Sequence, residues 1–165
     1  LVATPPAGRA LCLAVGAIGL LHRRLKRDAR VKVVYVAAAW TVACVGLPAL
    51  DRSGEVAIDG ALGFSAAFVG AGVTANLIAS NLRDGKRGAA GWSRTAALRL
   101  ARAISIAGVA AAAFAPEAIA PLAFIPAAEV LALGFFRGSE RFGHLVVDGA
   151  LLAGALVAAA VCGLR

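Results

Sequence analysis

The sequence predicts an all-α protein, a polytopic transmembrane helix bundle with about six spanning helices. Three observations lead there. The chain is 61% hydrophobic with a mean hydropathy of +0.84, more apolar than a water-soluble domain of 165 residues. The apolar residues fall in uncharged runs near the length that crosses a bilayer. The bases fall in short blocks between those runs. The abundant Ala and Gly suit helices that approach closely in lipid. A net charge of +8 would suggest nucleic acid in a soluble protein. Here the charge sits at loops and lacks interleaved aromatics for base stacking, so nucleic acid is not expected as a partner.

The first expected span is 10–21, extended back toward Pro6. The basic loop "HRRLKRDARVK" ends it. An uncharged second span covers 33–50, and the polar turn "DRSGEVAID" follows. The third span, 60–80, is again uncharged and leads into "NLRDGKRGAAGWSRT". Between Ala103 and Phe136 the only charges are Glu117 and Glu129, a run too long for one helix. Pro116 and Pro121 divide it, because proline cannot continue a helix. The fourth span is therefore 97–115 and the fifth 118–136. After "RGSERFGH" the sixth span is 145–163.

Charge tests this division. The loops at 22–32, 81–102 and 137–144 hold 6, 6 and 2 Lys or Arg of the 17 in the chain. The other side receives Arg9, Arg52 and Arg165, with Asp51, Glu55, Asp59 and Glu117. Basic loops stay cytoplasmic, so Leu1 is expected outside, in a bacterial cytoplasmic membrane. The chain contains no Met and begins "LVATPPAGRA". It is expected to lack its true N-terminus and to form a single membrane domain, 1–165.

Cys12, Cys44 and Cys162 lie in apolar runs with no C-x-x-C spacing and are expected to be buried small hydrophobes. His22 and His144 are too far apart for a zinc motif. Asn76, Ser80 and Asp84 recur at four-residue spacing, so a continuing helix would align them on one face, with Asn81 beside it. Such oxygens suit a hard cation such as Mg²⁺. Lys86, Arg87 and Arg94 follow and could meet phosphate oxygens. The alternative is a helix end, a turn at Asp84-Gly85, and bases that serve as topology signals. Glu129 falls about eight residues, roughly 12 Å, inside its span. An ionisable group at that depth usually faces a cavity or a partner. Asp148, near the start of the sixth span, could line the same cavity, or simply favour a helix N-terminus.

Four stretches together resemble the C-terminal portion of the UbiA superfamily of intramembrane prenyltransferases. "HRRLKR" resembles its basic Tyr-x-x-x-Lys-Arg loop, with His22 in the Tyr place and Lys26 and Arg27 matching. "VKVVYVAAAW", ending at Trp40, resembles the next helix. "SNLRDGKRGAAGWSRTAALRL" resembles the second aspartate-rich motif, and "HLVVDGALLAGALV" the last helix. Asn-Leu-Arg-Asp, with Arg94-Thr95 ten residues after Asp84, is the most specific part. The resemblance implies a nine-helix bundle in which these spans are helices four to nine.

The resemblance further implies transfer of a polyprenyl group from its diphosphate to an aromatic or lipid acceptor, with Mg²⁺. Asp84 and Asn81 would bind metal. Lys26, Arg27, Arg87 and Arg94 would face the diphosphate. Asn76, Glu129 and Asp148 would line the cavity or orient the acceptor. Two departures stand out. Gly88 occupies the place of the motif's second Asp, and the first aspartate-rich motif does not occur in the chain. They leave a second expectation, a non-catalytic lipid-binding or scaffolding membrane subunit derived from the same family. A small transporter is a weaker third, since only Glu129 lies deep. The topology has its own test. In a background without the native cysteines, single cysteines at Arg24 and Lys86 should react with an impermeant maleimide only from the cytoplasmic side. One at Arg52 should react only from the other.

Overall fold

A computed structural model describes residues 6–25, 29–50, 59–83, 93–137, 139 and 142–163. Among them the chain is all-helical, with six α-helices and no strand. We label them α1 (Pro6–Leu25), α2 (Ala29–Thr41), α3 (Gly60–Arg83), α4 (Arg94–Ala110), α5 (Phe124–Gly134) and α6 (Gly149–Gly163). π-helical turns extend α2 over Val42–Gly46 and precede α6 over Gly143–Asp148. Short 3₁₀ turns, Ala111–Phe114 and Ala120–Ala123, flank the break between α4 and α5.

Each expected span overlaps one α-helix, and local chemistry explains where several of the helices begin. The Asp59 carboxylate accepts from the Leu62 N–H at 2.8 Å, an N-cap that starts α3 at Gly60. The Ser93 hydroxyl accepts from the Ala96 N–H at 3.1 Å, so α4 begins three residues before the expected 97. The Pro116 carbonyl accepts from both Ile119 and Ala120, at 3.1 and 3.0 Å, and closes a turn there. The fifth helical stretch therefore opens at Ala120 rather than 118 and ends at Gly134. Pro126 sits in the first turn of α5, where no intrahelical donor is lost.

Three helices are long and apolar enough to cross a membrane: Gly60–Leu82, Arg94–Phe114 and Leu145–Gly163. The stretches Gly8–Leu20, Val31–Gly46 and Ala120–Gly134 are shorter. Fifteen residues of the last reach about 22 Å, less than a hydrocarbon core of about 30 Å.

α3 is the hub and packs on α2, α4 and α5, while α5 also packs on α4 and α6. One core cluster joins Val33 of α2, Ala75, Ile78 and Ala79 of α3, Ala97 and Ala101 of α4, Leu133 of α5 and Val147. Across that cluster Arg102 donates from Nε and Nη2 to the Leu133 carbonyl, at 3.1 and 2.6 Å, and so caps the end of α5. Small residues set the separations. A Cβ on Gly108 would lie 2.8 Å from the Ala71 Cβ and 3.0 Å from the Pro126 Cβ. A Cβ on Gly154 would lie 2.6 Å from the Phe124 carbonyl oxygen and 2.8 Å from the Ile125 Cα.

The outside is apolar. Leu20 is 85% exposed, Phe114 80% and Leu145 77%, with Leu13, Leu131, Leu152 and Leu156 exposed as well. Cys12, Cys44 and Cys162 are also exposed, which corrects the expected burial. An apolar neighbourhood in sequence marks the interior only where the exterior is polar, and here it is not.

Gly154 carries the first stability prediction. The obstructing atoms are backbone, so Gly154→Ala must push α6 away from α5. We expect a loss of about 1–3 kcal/mol, read as a lower thermal unfolding midpoint in detergent. Gly163→Ala, where a Cβ meets nothing within 4 Å, should leave the midpoint in place.

Candidate functional site

One turn of α3 assembles the polar site. At Gly72 a Cβ would lie 2.6 Å from Cγ2 of Ile125 and 3.3 Å from Cδ1 of Leu151. Glycine thus lets α3 approach both α5 and α6 there. Residues one turn away on each helix then come together, because positions three and four apart share a face. They are Asn76 on α3, Glu129 on α5 and Asp148 at the junction of the π turn with α6.

The Asn76 amide nitrogen donates toward the Asp148 Oδ1 at 3.2 Å, the Val147 carbonyl at 3.2 Å and the Glu129 Oε1 at 3.4 Å. It has two N–H groups for three acceptors, and the Glu129 contact is the longest. Asn76 is buried and Glu129 is fully buried, at 0% exposure. The second Glu129 oxygen, Oε2, has no hydrogen-bond partner among the described residues. The π turn carries both Val147 and Asp148. Such turns break the i→i−4 register and recur at functional sites.

Asn76 and Asp148 also form the polar end of an apolar cavity of about 460 Å³. Trp40, Cys44, Val73, Ile125, Leu151 and Leu152 line the rest. Trp40 and Leu152 are each more than half exposed, so the cavity opens sideways through the apolar exterior.

A second polar contact lies at the end of α3. Lys32 of α2 donates from Nζ to the Asn81 Oδ1 at 3.1 Å, and Asn81 is buried. Its amide nitrogen has no partner among the described residues. Asn76 and Asn81 are five residues apart, about 140° around a helix, so they face different neighbours. A Mg²⁺ ion on the Asn81 oxygen would stand beside an ammonium. Asn81 therefore fits that ion only with Lys32 turned away.

The remaining expected residues divide simply. Arg94 begins α4 on the exposed side, with its guanidinium carbon 5.7 Å from the centroid of the Phe136 ring, a cation–π contact. Lys26, Arg27, Asp84, Lys86, Arg87 and Gly88 lie outside the described residues. Sequence reasoning counted Lys32 only as a topology charge. Its signal was a base set between Val31 and the apolar run that opens α2. It also passed over the Val147 carbonyl, which no side-chain pattern can reveal.

No family model matches the chain, and no curated protein or solved structure matches it.

The Asn76 contacts yield a prediction. Asn76→Ala removes a donor that three buried or half-buried acceptors share. It should cost about 1–3 kcal/mol of stability, read as a lower denaturation midpoint in detergent. Glu129→Gln keeps the shape and brings a donor of its own, so it should cost less.

Proposed function

We propose that the chain belongs to an integral membrane prenyltransferase of the UbiA type, which moves a polyprenyl group from its diphosphate to an aromatic or lipid acceptor. The observation that carries the reading is the apolar cavity of about 460 Å³ closed at one end by Asn76 and Asp148. Its apolar walls suit a prenyl chain or a lipophilic acceptor. Asn76, at its polar end, lies seven residues, or roughly 10 Å, along α3 from Arg83, the described residue that precedes Asp84 in the sequence. The membrane setting is supported by the exposed leucines and phenylalanines and by three helices of spanning length. In this reading the six helices form a polytopic bundle in the bacterial cytoplasmic membrane. The loops at 22–32, 81–102 and 137–144 face the cytoplasm.

The roles follow the chemistry of the side chains. Lys26, Arg27, Arg87 and Arg94 supply positive charge to the diphosphate; Arg94 would leave the Phe136 ring to do so. Asp84 and Asn81 would hold Mg²⁺, which neutralises charge on the leaving diphosphate when bound. Asn76, Glu129 and Asp148 orient the acceptor. The apolar cavity excludes water from the departing prenyl group.

A non-catalytic lipid-binding subunit is the second reading. Gly88 favours it, because it removes a carboxylate from the motif that the resemblance turns on.

The test is titration of the full-length protein in lipid nanodiscs with farnesyl and longer prenyl diphosphates, with and without Mg²⁺. We expect Mg²⁺-dependent binding that Asp84→Ala weakens by about tenfold or more. Binding that ignores both Mg²⁺ and Asp84→Ala would exclude the transferase and leave the lipid-binding subunit.

A further inference from the structure

A second cavity, of about 420 Å³, adjoins the first. Pro48 and Ala49, beyond the π turn that extends α2, line it together with Leu62 and Ser65 of α3 and with Leu122. Asp59 also lines it, but its carboxylate already caps the Leu62 N–H at 2.8 Å. Cys44 and Val69 line both cavities and so mark the waist between them. Val69 is buried there, and Cys44 is carried there by the π turn over Val42–Gly46. Such turns recur at functional sites.

The two cavities follow α3. Along that helix the first reaches from Val69 to Leu77 and the second from Ala61 to Val69. Ala61 to Leu77 is sixteen residues, or about 24 Å of helix. A hydrocarbon core is about 30 Å deep, and α3 is one of the three helices of spanning length. The joined space therefore has the length and direction of a lipid tail. A rigid ring system would fill one cavity and stop at the waist. A flexible linear chain gains apolar contact in both.

We infer that the two cavities hold successive lengths of one linear lipophilic chain, and that the second cavity selects for long chains. The head stays at the Asn76 end of the first cavity. The chain passes between Val69 and Cys44 and ends beside Leu62, Ser65 and Leu122. Those three residues then set the chain length. This inference deepens the prenyltransferase reading and rests on it for the direction of the chain. A competing path exists, because the first cavity opens sideways at Trp40 and Leu152, each more than half exposed.

The far end of the chain supplies the readout. The full-length protein is reconstituted in nanodiscs without Mg²⁺. It is photolabelled with geraniol and geranylgeraniol, the longer chain twice the shorter, each carrying a diazirine at the tail tip. Labelled residues are mapped by mass spectrometry, and only labelling that an excess of the plain alcohol removes is counted. We expect the geraniol tip in the first cavity, around Val73 or Leu151. We expect the geranylgeraniol tip in the second, around Ala49, Leu62 or Leu122. Ser65→Phe fills the second cavity. It should weaken geranylgeraniol by about tenfold or more and leave geraniol within about twofold. Ala61→Leu is the milder filling if the phenylalanine variant fails to fold, and it should act in the same direction.

A geranylgeraniol tip on Trp40 or Leu152 overturns the inference, since the chain then leaves sideways into lipid. So does a filled second cavity that weakens both alcohols alike, or neither. The alcohols carry no diphosphate and need no Mg²⁺, so the result is separate from the Asp84 titration. Sideways exit with intact Mg²⁺-dependent diphosphate binding removes only the present inference. Tips in the second cavity without Mg²⁺-dependent diphosphate binding remove only the transferase and leave a subunit that binds lipid chains.

Discussion

The approach of α3 to α5 and α6 at Gly72 governs the polar interior of this protein. With no side chain at that position, Ile125 and Leu151 close onto the α3 backbone. One turn further along, Asn76 meets Glu129 and Asp148. Gly154 and Gly108 repeat the device where α6 meets the start of α5 and where α4 meets α3. In an exterior as apolar as this one, hydrophobic contrast does little to choose helix partners. Close approach and shared hydrogen bonds carry more of that choice.

The polar groups fall into two layers along α3. The inner layer is Asn76 with two carboxylates, joined to the apolar cavity. The outer layer is Asn81 with Lys32, next to the basic stretch that follows α3. The layers differ in sign and look toward different helices, because about 140° of helix separates their asparagines. This division explains why one motif-based list of site residues splits in space. Asn76 and Asn81 were grouped by spacing along the chain, and rotation around the helix parts them.

Much of the fold was legible in the sequence. Uncharged runs and two prolines located six helical stretches, since a run without charge and a missing backbone donor are local facts. The N-terminal ends shifted where a cap or a turn intervened, as with Ser93 at the start of α4 and the Pro116 carbonyl before the fifth stretch. The depth of Glu129 marked it as a residue that usually faces a cavity or a partner, and its Oε1 stands 3.4 Å from the Asn76 amide. The cysteines misled, because burial is relative to the medium outside, and a sequence does not state what surrounds the folded chain.

The sequence by itself determined the helical class, the approximate positions of the helices, and the residue types available for chemistry. Those depend on composition, periodicity and helix breakers within a few neighbours. Only the tertiary structure decided which polar groups meet. Lys32 reaches Asn81 from 49 positions away, and Asp148 reaches Asn76 from 72. Those pairings depend on how far apart the helices stand and how each is rotated. Both are set by glycine contacts and a π turn, whose effects act between elements and leave no pattern within one.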